Sequence, residues 1–322
     1  MRRYSKVIGT GAYLPEEIRT NDHISQTVDT SDSWIFERTG IKSRRIAGPD
    51  ESAASMAEIA ARQALAAAEC DPNTIDLIIV ATGTPDRVYP STGCLLQQRL
   101  GIKNTVAFDV QAACSGSIFA LSIADQYIQS GAAKTVLIVG SELCSRIVDW
   151  TDRATCILFG DGAGAVLLSA SDEAGILSTH ICSDGEYEDL LYCPNPQAAT
   201  EPNKDETGFI RMRGNEVFKI AVNTLGQIVD ETLAANNMDK SEIDWLVPHQ
   251  ANIRIIAATA KKLRMSMDQV VVTLENQGNT SSASVLIAFN EAVRDGRIQR
   301  GQVVLLEAFG AGFTWGSALI KY

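Results

Sequence analysis

A single cysteine, Cys114, stands in V-Q-A-A-C-S-G-S (110–117), where a short apolar run gives way to a helical pattern. A thiol in such a strand-to-helix turn meets unpaired backbone N–H groups and the positive end of a helix dipole. That setting predicts a pKa drawn from about 8.5 towards about 3.5–7.5, and so a nucleophile. The small neighbours Ala112, Ala113, Ser115 and Gly116 would let a substrate approach closely. A buried structural thiol fits the same position and stays open. Two further polar residues fall at comparable places. His249, in V-P-H-Q-A-N, ends an apolar run that begins near Trp245, and Asn279, in N-Q-G-N-T-S-S-A-S, precedes another helical pattern. Each has a plain account by itself, as a core or surface histidine and as a helix cap. Strand C-termini, however, are where parallel sheets hold ligands.

The elements that must position these residues come as two copies. L-A-A-A-E-C-D-P-N-T-I-D (65–76) precedes L-I-I-V, and L-A-A-N-N-M-D-K-S-E-I-D (233–244) precedes W-L-V-P. Each reads as a helix end, a polar turn and a buried strand. In the first copy a strand Phe108–Val110 leads to Cys114, a helix through Gln129 and a strand Thr135–Val139. In the second a strand Val270–Leu274 leads to Asn279, a helix through Arg294 and a strand Val303–Leu306. His249 becomes the counterpart of Ala81–Thr82, and the Asn279 turn that of Cys114. The pattern predicts an α/β protein with mostly parallel sheets, stacked with helices between and outside. The halves are 1–173 and 174–322. Residues 183–216 break the plan with several Pro, Gly, Asn and acidic residues, and read as a long excursion of functional type.

Composition narrows the function classes. The chain has 322 residues, more than one ordinary core, and is 45% hydrophobic and 21% charged. A net charge of -11 disfavours general binding to nucleic acid or anionic membranes. No apolar run approaches the ~18 residues of a membrane span. Seven scattered cysteines without a C-x-x-C pair suggest reduced thiols in a cytoplasmic protein. The three histidines lie apart from one another and no cysteine completes a metal-ligand pattern with them, so no metal site is expected. A-F-G-A-G-F-T-W-G-S-A (308–318) could bring backbone amides to a ligand. F-G-D-G-A-G-A (159–165) reads as a tight turn with close packing. Neither is a nucleotide-binding fingerprint.

Cys, His, Asn is also the chain order of papain-like proteases, but the duplication and the missing C-G-S-C-W context argue against that reading. The motifs A-C-S-G (113–116), P-H-Q-A-N-I-R (248–254), G-N-T-S (278–281) and F-G-A-G-F-T-W-G (309–316) together resemble β-ketoacyl-[acyl-carrier-protein] synthase III. S-D-S-W-I-F-E-R-T-G-I (31–41), T-D-R (151–153) and R-G-N-E-V-F-K (213–219) extend the resemblance over essentially the whole chain. It implies a thiolase fold of duplicated βαβαβαββ halves in a five-layer αβαβα sandwich. It implies the initiating condensation of type II fatty-acid synthesis, in which an acyl group, usually acetyl, passes from CoA to the Cys114 thiol. Malonyl-[acyl-carrier protein] then loses CO2 and attacks the acyl-enzyme. CoA thioesters are substrates, and no cofactor is implied.

The same resemblance assigns residues. His249 and Asn279 would hydrogen-bond the malonyl thioester carbonyl, and the N–H groups of Cys114 and Ala311 would form an oxyanion hole. Trp34 and Arg153 would sandwich the CoA adenine, Arg38 would meet a phosphate, and Gly214 and Asn252 would line the pantetheine channel. Tyr89, Cys144 and Phe159 would bound the acyl pocket, Tyr89 favouring a short acyl group such as acetyl or propionyl. Lys219, Arg254, Lys261 and Lys262 would dock the carrier protein. A homodimer is implied, in which Tyr89 could reach the partner's pocket. Where family members carry a third glycine in the C-terminal turn, this chain has Ala311. A related acyltransferase of secondary metabolism remains a second reading. A degradative thiolase lacks its second, C-terminal cysteine here, since the last is Cys193. A hydroxymethylglutaryl-CoA synthase would need an acidic base near the nucleophile, and 110–117 supplies none. A non-catalytic binding protein would have no use for the three polar residues.

Overall fold

In a computed structural model of the protein, residues 3–195 and 208–322 are described. The first half contains β1 (Tyr4–Tyr13), α1 (Asp32–Thr39), α2 (Ala53–Ala67), β2 (Leu77–Ala81), α3 (Thr92–Leu100), β3 (Val106–Val110), α4 (Gly116–Gln129), β4 (Thr135–Leu143) and β5 (Asp161–Ser171). The second contains β6 (Ile176–Ser183), α5 (Gly214–Asn236), β7 (Trp245–Pro248), α6 (Ile253–Leu263), α7 (Ser284–Arg294), β8 (Val303–Gly310) and β9 (Thr314–Lys321).

Sheet order repeats between the halves. The first sheet runs β1-β5-β4-β2-β3 and the second β6-β9-β8-β7, which is the first four positions of the same series. Helices α4 and α7 lie between the sheets, α2 and α3 cover the first, and α5 and α6 cover the second. The result is five layers. The helices between the sheets are apolar on most sides. Of α7, eight residues including Val285, Leu286, Ile287 and Phe289 are buried, because both its faces meet a sheet.

Three expectations about the fold need correction. The sheets are mixed rather than mostly parallel: β2 pairs in parallel with β3 and β4, and β7 with β8, but β1, β5, β6 and β9 join antiparallel. Each half ends in two successive strands with no long crossover helix between them, and such a connection permits antiparallel pairing. The strand expected at Val270–Leu274 shrinks to a single bridge between Val270 and Leu246. The Gln250 side chain explains this. Its Oε1 accepts from Thr273 N (2.8 Å) and Leu274 N (3.2 Å), and its Nε2 donates to Val271 O (3.0 Å). A buried amide thus satisfies backbone groups that a neighbouring strand would otherwise pair.

The F-G-D-G-A-G-A segment is the start of β5 rather than a turn. A Cβ at Gly164 would stand 2.7 Å from Ile287 N, so the glycine lets α7 lie directly on the sheet. The 183–216 excursion forms a 3-10 turn (Gly185–Leu190) and a two-residue ladder of Leu191–Tyr192 with Arg211–Met212. Its residues 196–207 lie outside the described residues.

Candidate active site

Cys114 sits in a 3-10 turn, Ala113–Ser115, that feeds directly into α4. Ala113 holds a positive φ of 45° to make the turn. The end of β8 packs against it, where a Cβ on Gly310 would fall 2.6 Å from Cys114 N. Glycine is therefore required there for space. Thr314 ties the following turn down, with Oγ1 placed 2.9 Å from Ala112 O and 3.0 Å from Ala311 O for its one proton, while Ser115 Oγ donates to Thr314 O (2.8 Å).

His249 follows β7, its N–H bonded to Glu307 O (2.8 Å). Its Nδ1 lies 2.6 Å from Ser284 Oγ, and that oxygen accepts from Gln250 N (3.3 Å). With a lone pair used by Gln250, the hydroxyl proton is available for Nδ1. A Ser284 hydroxyl that donates to Nδ1 keeps the ring proton on Nε2. Burial pushes the imidazole down to about 3, so it is neutral near pH 7. Asn279 is bridged to Phe159 across the halves, with Asn279 N donating to Leu158 O (2.8 Å) and Gly160 N to Asn279 O (2.9 Å). Its Oδ1 accepts from Ser281 N (2.8 Å), which leaves the amide Nδ2 as the outward group.

Cys114, His249 and Asn279 all line one cavity of about 330 Å³, together with Arg38, Gly214, Asn252 and Phe309. A second cavity of about 590 Å³ opens on the other side of Cys114 and Phe159 and is lined by Cys144, Glu142, Ser281, Leu191 and Ala311. The thiol does not follow the lowered-pKa expectation. Burial pushes Cys114 up to about 12, the Glu142 carboxylate adds to the rise, and a contact with Ser281 only partly opposes it. The turn's N–H groups do not outweigh desolvation, so the resting group is a neutral thiol.

Two family models match: "3-Oxoacyl-[acyl-carrier-protein (ACP)] synthase III" over residues 108–185 and its C-terminal counterpart over 233–322. Along its whole length the chain is 67% identical to the whole of the β-ketoacyl-[acyl-carrier-protein] synthase III of Methylococcus capsulatus. The chain belongs to the β-ketoacyl-[acyl-carrier-protein] synthase III family. It is a condensing acyltransferase with the thiolase fold. The crystal structure of 3-oxoacyl-[acyl-carrier-protein] synthase III from Aquifex aeolicus superposes with a TM-score of 0.94 at 47% identity, covering 99% of this chain and 100% of that one. The priming β-ketosynthase of the R1128 polyketide pathway also gives 0.94, at 37% identity over 99% of this chain and 96% of that one.

The remaining synthase III residues divide by location. Arg38, Gly214 and Asn252 line the first cavity, and Asn252 Nδ2 donates to Arg38 O (3.1 Å). Trp34 and Arg153 lie outside its lining. The Trp34 ring carries the Arg38 guanidinium at 4.0 Å from its centroid and that of Arg153 at 4.9 Å. A flat base between two groups needs about 7 Å, twice a contact of about 3.5 Å, so Arg153 must swing away to admit one. Cys144 and Phe159 line the second cavity, but Tyr89 does not. It is 83% exposed, and within one chain it bounds no acyl pocket. Lys219, Arg254 and Lys261 are exposed on α5 and α6. Lys262 is engaged by Asp230 at 2.9 Å, which removes much of its charge from the docking stripe.

Sequence reading missed Ser284, Gln250, Ser281 and Glu142. The last had a signal: a carboxylate in the apolar strand T-V-L-I-V-G-S-E-L is unusual enough to mark a site. The absence of an acid from 110–117 did not extend to space, because β4 delivers Glu142 to the wall of the Cys114 cavity.

Proposed function

We propose that Cys114 accepts the acyl group of a short acyl-CoA and that His249 and Asn279 direct the decarboxylation of malonyl-[acyl-carrier protein]. The reaction is the initiating condensation of type II fatty-acid synthesis, giving 3-oxoacyl-[acyl-carrier protein], CoA and CO2. One observation carries the assignment of roles: three polar residues from three separate elements meet in a single cavity between the halves.

Pantetheine threads past Gly214 and Asn252 to bring its thioester to Cys114. The Cys114 sulfur attacks, the N–H groups of Cys114 and Ala311 hold the oxyanion, and CoA leaves. Each such donor is worth about 3–4 kcal/mol in the transition state. The malonyl thioester carbonyl then takes Nε2–H of His249 and Nδ2 of Asn279. As CO2 departs, those donors stabilise the enolate, whose carbon attacks the acyl carbon; the bond to the Cys114 sulfur breaks, and the released thiolate takes a proton from water to restore the thiol. A neutral imidazole suits this role, because it donates a hydrogen bond without needing to ionise. The CoA thioester is a substrate, not a cofactor.

The active species is a homodimer in the cytoplasm. Val88 and Tyr89, 80% and 83% exposed, lie in the loop before α3, and Val106 of edge strand β3 is 54% exposed. Apolar groups gathered beside an edge strand suit an interface. Tyr89 then caps the second cavity of the other subunit and shortens it, favouring acetyl or propionyl. Arg254, with Lys219 and Lys261, receives the acidic carrier protein near the cavity mouth.

Likeness to the polyketide priming synthase supports a second reading with another starter or acceptor. Intact-protein mass spectrometry after brief mixing with acetyl-CoA separates them. A single acetyl adduct, absent from Cys114→Ala, is the expected result. An adduct only from longer or branched acyl-CoA supports the second reading, and none from any acyl-CoA overturns the assignment of Cys114.

A further inference from the structure

Arg44 is fully buried, and no step of the condensation as written uses it. It stands in a short ribbon of Glu17–Thr20 paired with Ser43–Ile46. Its four hydrogen bonds all go to uncharged oxygens. Nη1 donates to Arg19 O (3.0 Å), Nη1 and Nη2 both reach Asn21 Oδ1 (3.0 Å each), and Nη2 donates to Ile157 O (2.7 Å). Its Nε has no partner, so the two fork nitrogens do the holding. A buried guanidinium without a carboxylate carries a large desolvation penalty, and a well-packed apolar side chain would avoid it. What the fork reaches is therefore informative.

Ile157 O opens the segment that holds Asn279. The next residue, Leu158, accepts Asn279 N at its carbonyl (2.8 Å), and Gly160 N donates to Asn279 O (2.9 Å). The Arg44 stem packs against both sides of this bridge. A Cβ on Gly160 would stand 3.0 Å from Arg44 Cβ, and one on Gly278, the residue before Asn279, 2.9 Å from it. Arg44 thus pins the carbonyl at 157 with its fork and fills the space beside 160 and 278 with its stem. At the other end of the network, Asn21 Nδ2 donates to Asp32 Oδ1 (2.9 Å) and Ile41 O (2.7 Å), at the start of α1 and just past its end.

We infer that Arg44 is a positioning residue for Asn279: its guanidinium fixes residues 157–160, and that segment sets where the Asn279 amide meets the malonyl thioester. The inference rests on the reading of Asn279 as a hydrogen-bond donor to that thioester. Arg44 touches no reacting atom. With Asn279 Oδ1 bound to Ser281 N (2.8 Å), the direction of Nδ2 follows once the backbone at 279 is placed. A misplacement of about 1 Å at a reacting centre can lower a rate about 10²-fold, so a loosened bridge is felt in the step that uses this amide. The other two polar residues are held by different groups. His249 rests on the Ser284 hydroxyl, and the Cys114 turn is held by Thr314 and by contact with Gly310. The effect of Arg44 is therefore confined to the transfer step.

The test is a double-variant cycle on the full-length protein, read on two single-turnover rates. One is acetylation by acetyl-CoA, followed by rapid quench and intact mass. The other is transfer from enzyme already acetylated by long incubation to malonyl-[acyl-carrier protein], followed by CO2 release. Arg44→Lys keeps the charge but loses the planar fork. It slows transfer about tenfold and leaves acetylation within about twofold of wild type. Arg44→Gln removes the buried charge with the fork, so it guards against a folding failure of the lysine variant and gives the same split. Asn279→Ala slows transfer by itself, and adding Arg44→Lys to it slows transfer no further, because Arg44 acts through that amide. Losses that multiply in the double variant overturn the inference, since they mark a general loosening of the structure. So does an equal loss in acetylation and transfer, or wild-type transfer in both Arg44 variants. If Asn279→Ala alone transfers acetyl at the wild-type rate, the role given to Asn279 fails instead.

Discussion

The turn that carries Cys114 and the turn that follows Asn279 are built alike. Each is a three-residue 3-10 turn running into a long central helix, Ala113–Ser115 into α4 and Ser281–Ala283 into α7. Each opens on a residue with positive φ, 45° at Ala113 and 50° at Ser281. Superposed in order, Ser282 takes the place of Cys114. Their neighbours differ. Against Cys114 stands Gly310 at the end of β8, and against Ser282 stands Glu142 at the end of β4. In one half the strand end vacates space and the turn residue faces two cavities. In the other a carboxylate fills that space and the serine is spent on Ala81 O (2.9 Å) and Glu142. A duplicated backbone thus supplies two equivalent turns, and one pair of side chains decides which becomes the nucleophile site and which its support.

The widest contrast comes from removing each turn residue. Cys114→Ala abolishes the acetyl adduct, whereas Ser282→Ala still forms it and loses about 1–3 kcal/mol of stability for the partner taken from Glu142, measured by intact mass and by chemical denaturation. Next, His249→Ala leaves acetylation within a few-fold of wild type and slows transfer to malonyl-[acyl-carrier protein] about 10²–10³-fold. The sign of the pH dependence follows from burial. An imidazole lowered to about 3 is neutral across pH 5–8, so wild-type transfer has no inflection near 6.5. An inflection there would place the ring in water. Gly310→Ala copies bulk onto the nucleophile's side. It slows acetylation about 10–10²-fold through displacement of the turn, at about 1–3 kcal/mol of overpacking. Ser284→Ala frees the His249 tautomer and costs transfer about tenfold, one hydrogen bond's worth. Smallest is Lys262→Ala, which changes the KM for the carrier protein less than twofold because Asp230 already holds that lysine, while Arg254→Ala raises it more.

Periodicity exposed the repeat because helices and strands that bury one face must space their apolar residues, and two copies in order are hard to mistake. The turn residues were legible for the same reason, since Cys114, His249 and Asn279 each follow an apolar run. The truncated strand near Val270 was not, because Gln250, twenty residues away, takes over its pairing. Nor was the state of the thiol. Helix position argues for a thiolate, but burial depends on what β8 and the second half bring over it, and burial wins.

The sequence by itself determined the duplication, the family and the three polar residues in turns after apolar runs, because periodic burial and local turn chemistry are properties of contiguous residues. Only the tertiary structure decided that Trp34 is stacked beneath two arginines, that Tyr89 stands outside its own chain's cavity, and that Glu142 faces the nucleophile. Those depend on contacts between residues far apart in sequence. Desolvation and hydrogen bonding are set by which groups finally share a cavity, and no local pattern carries that information.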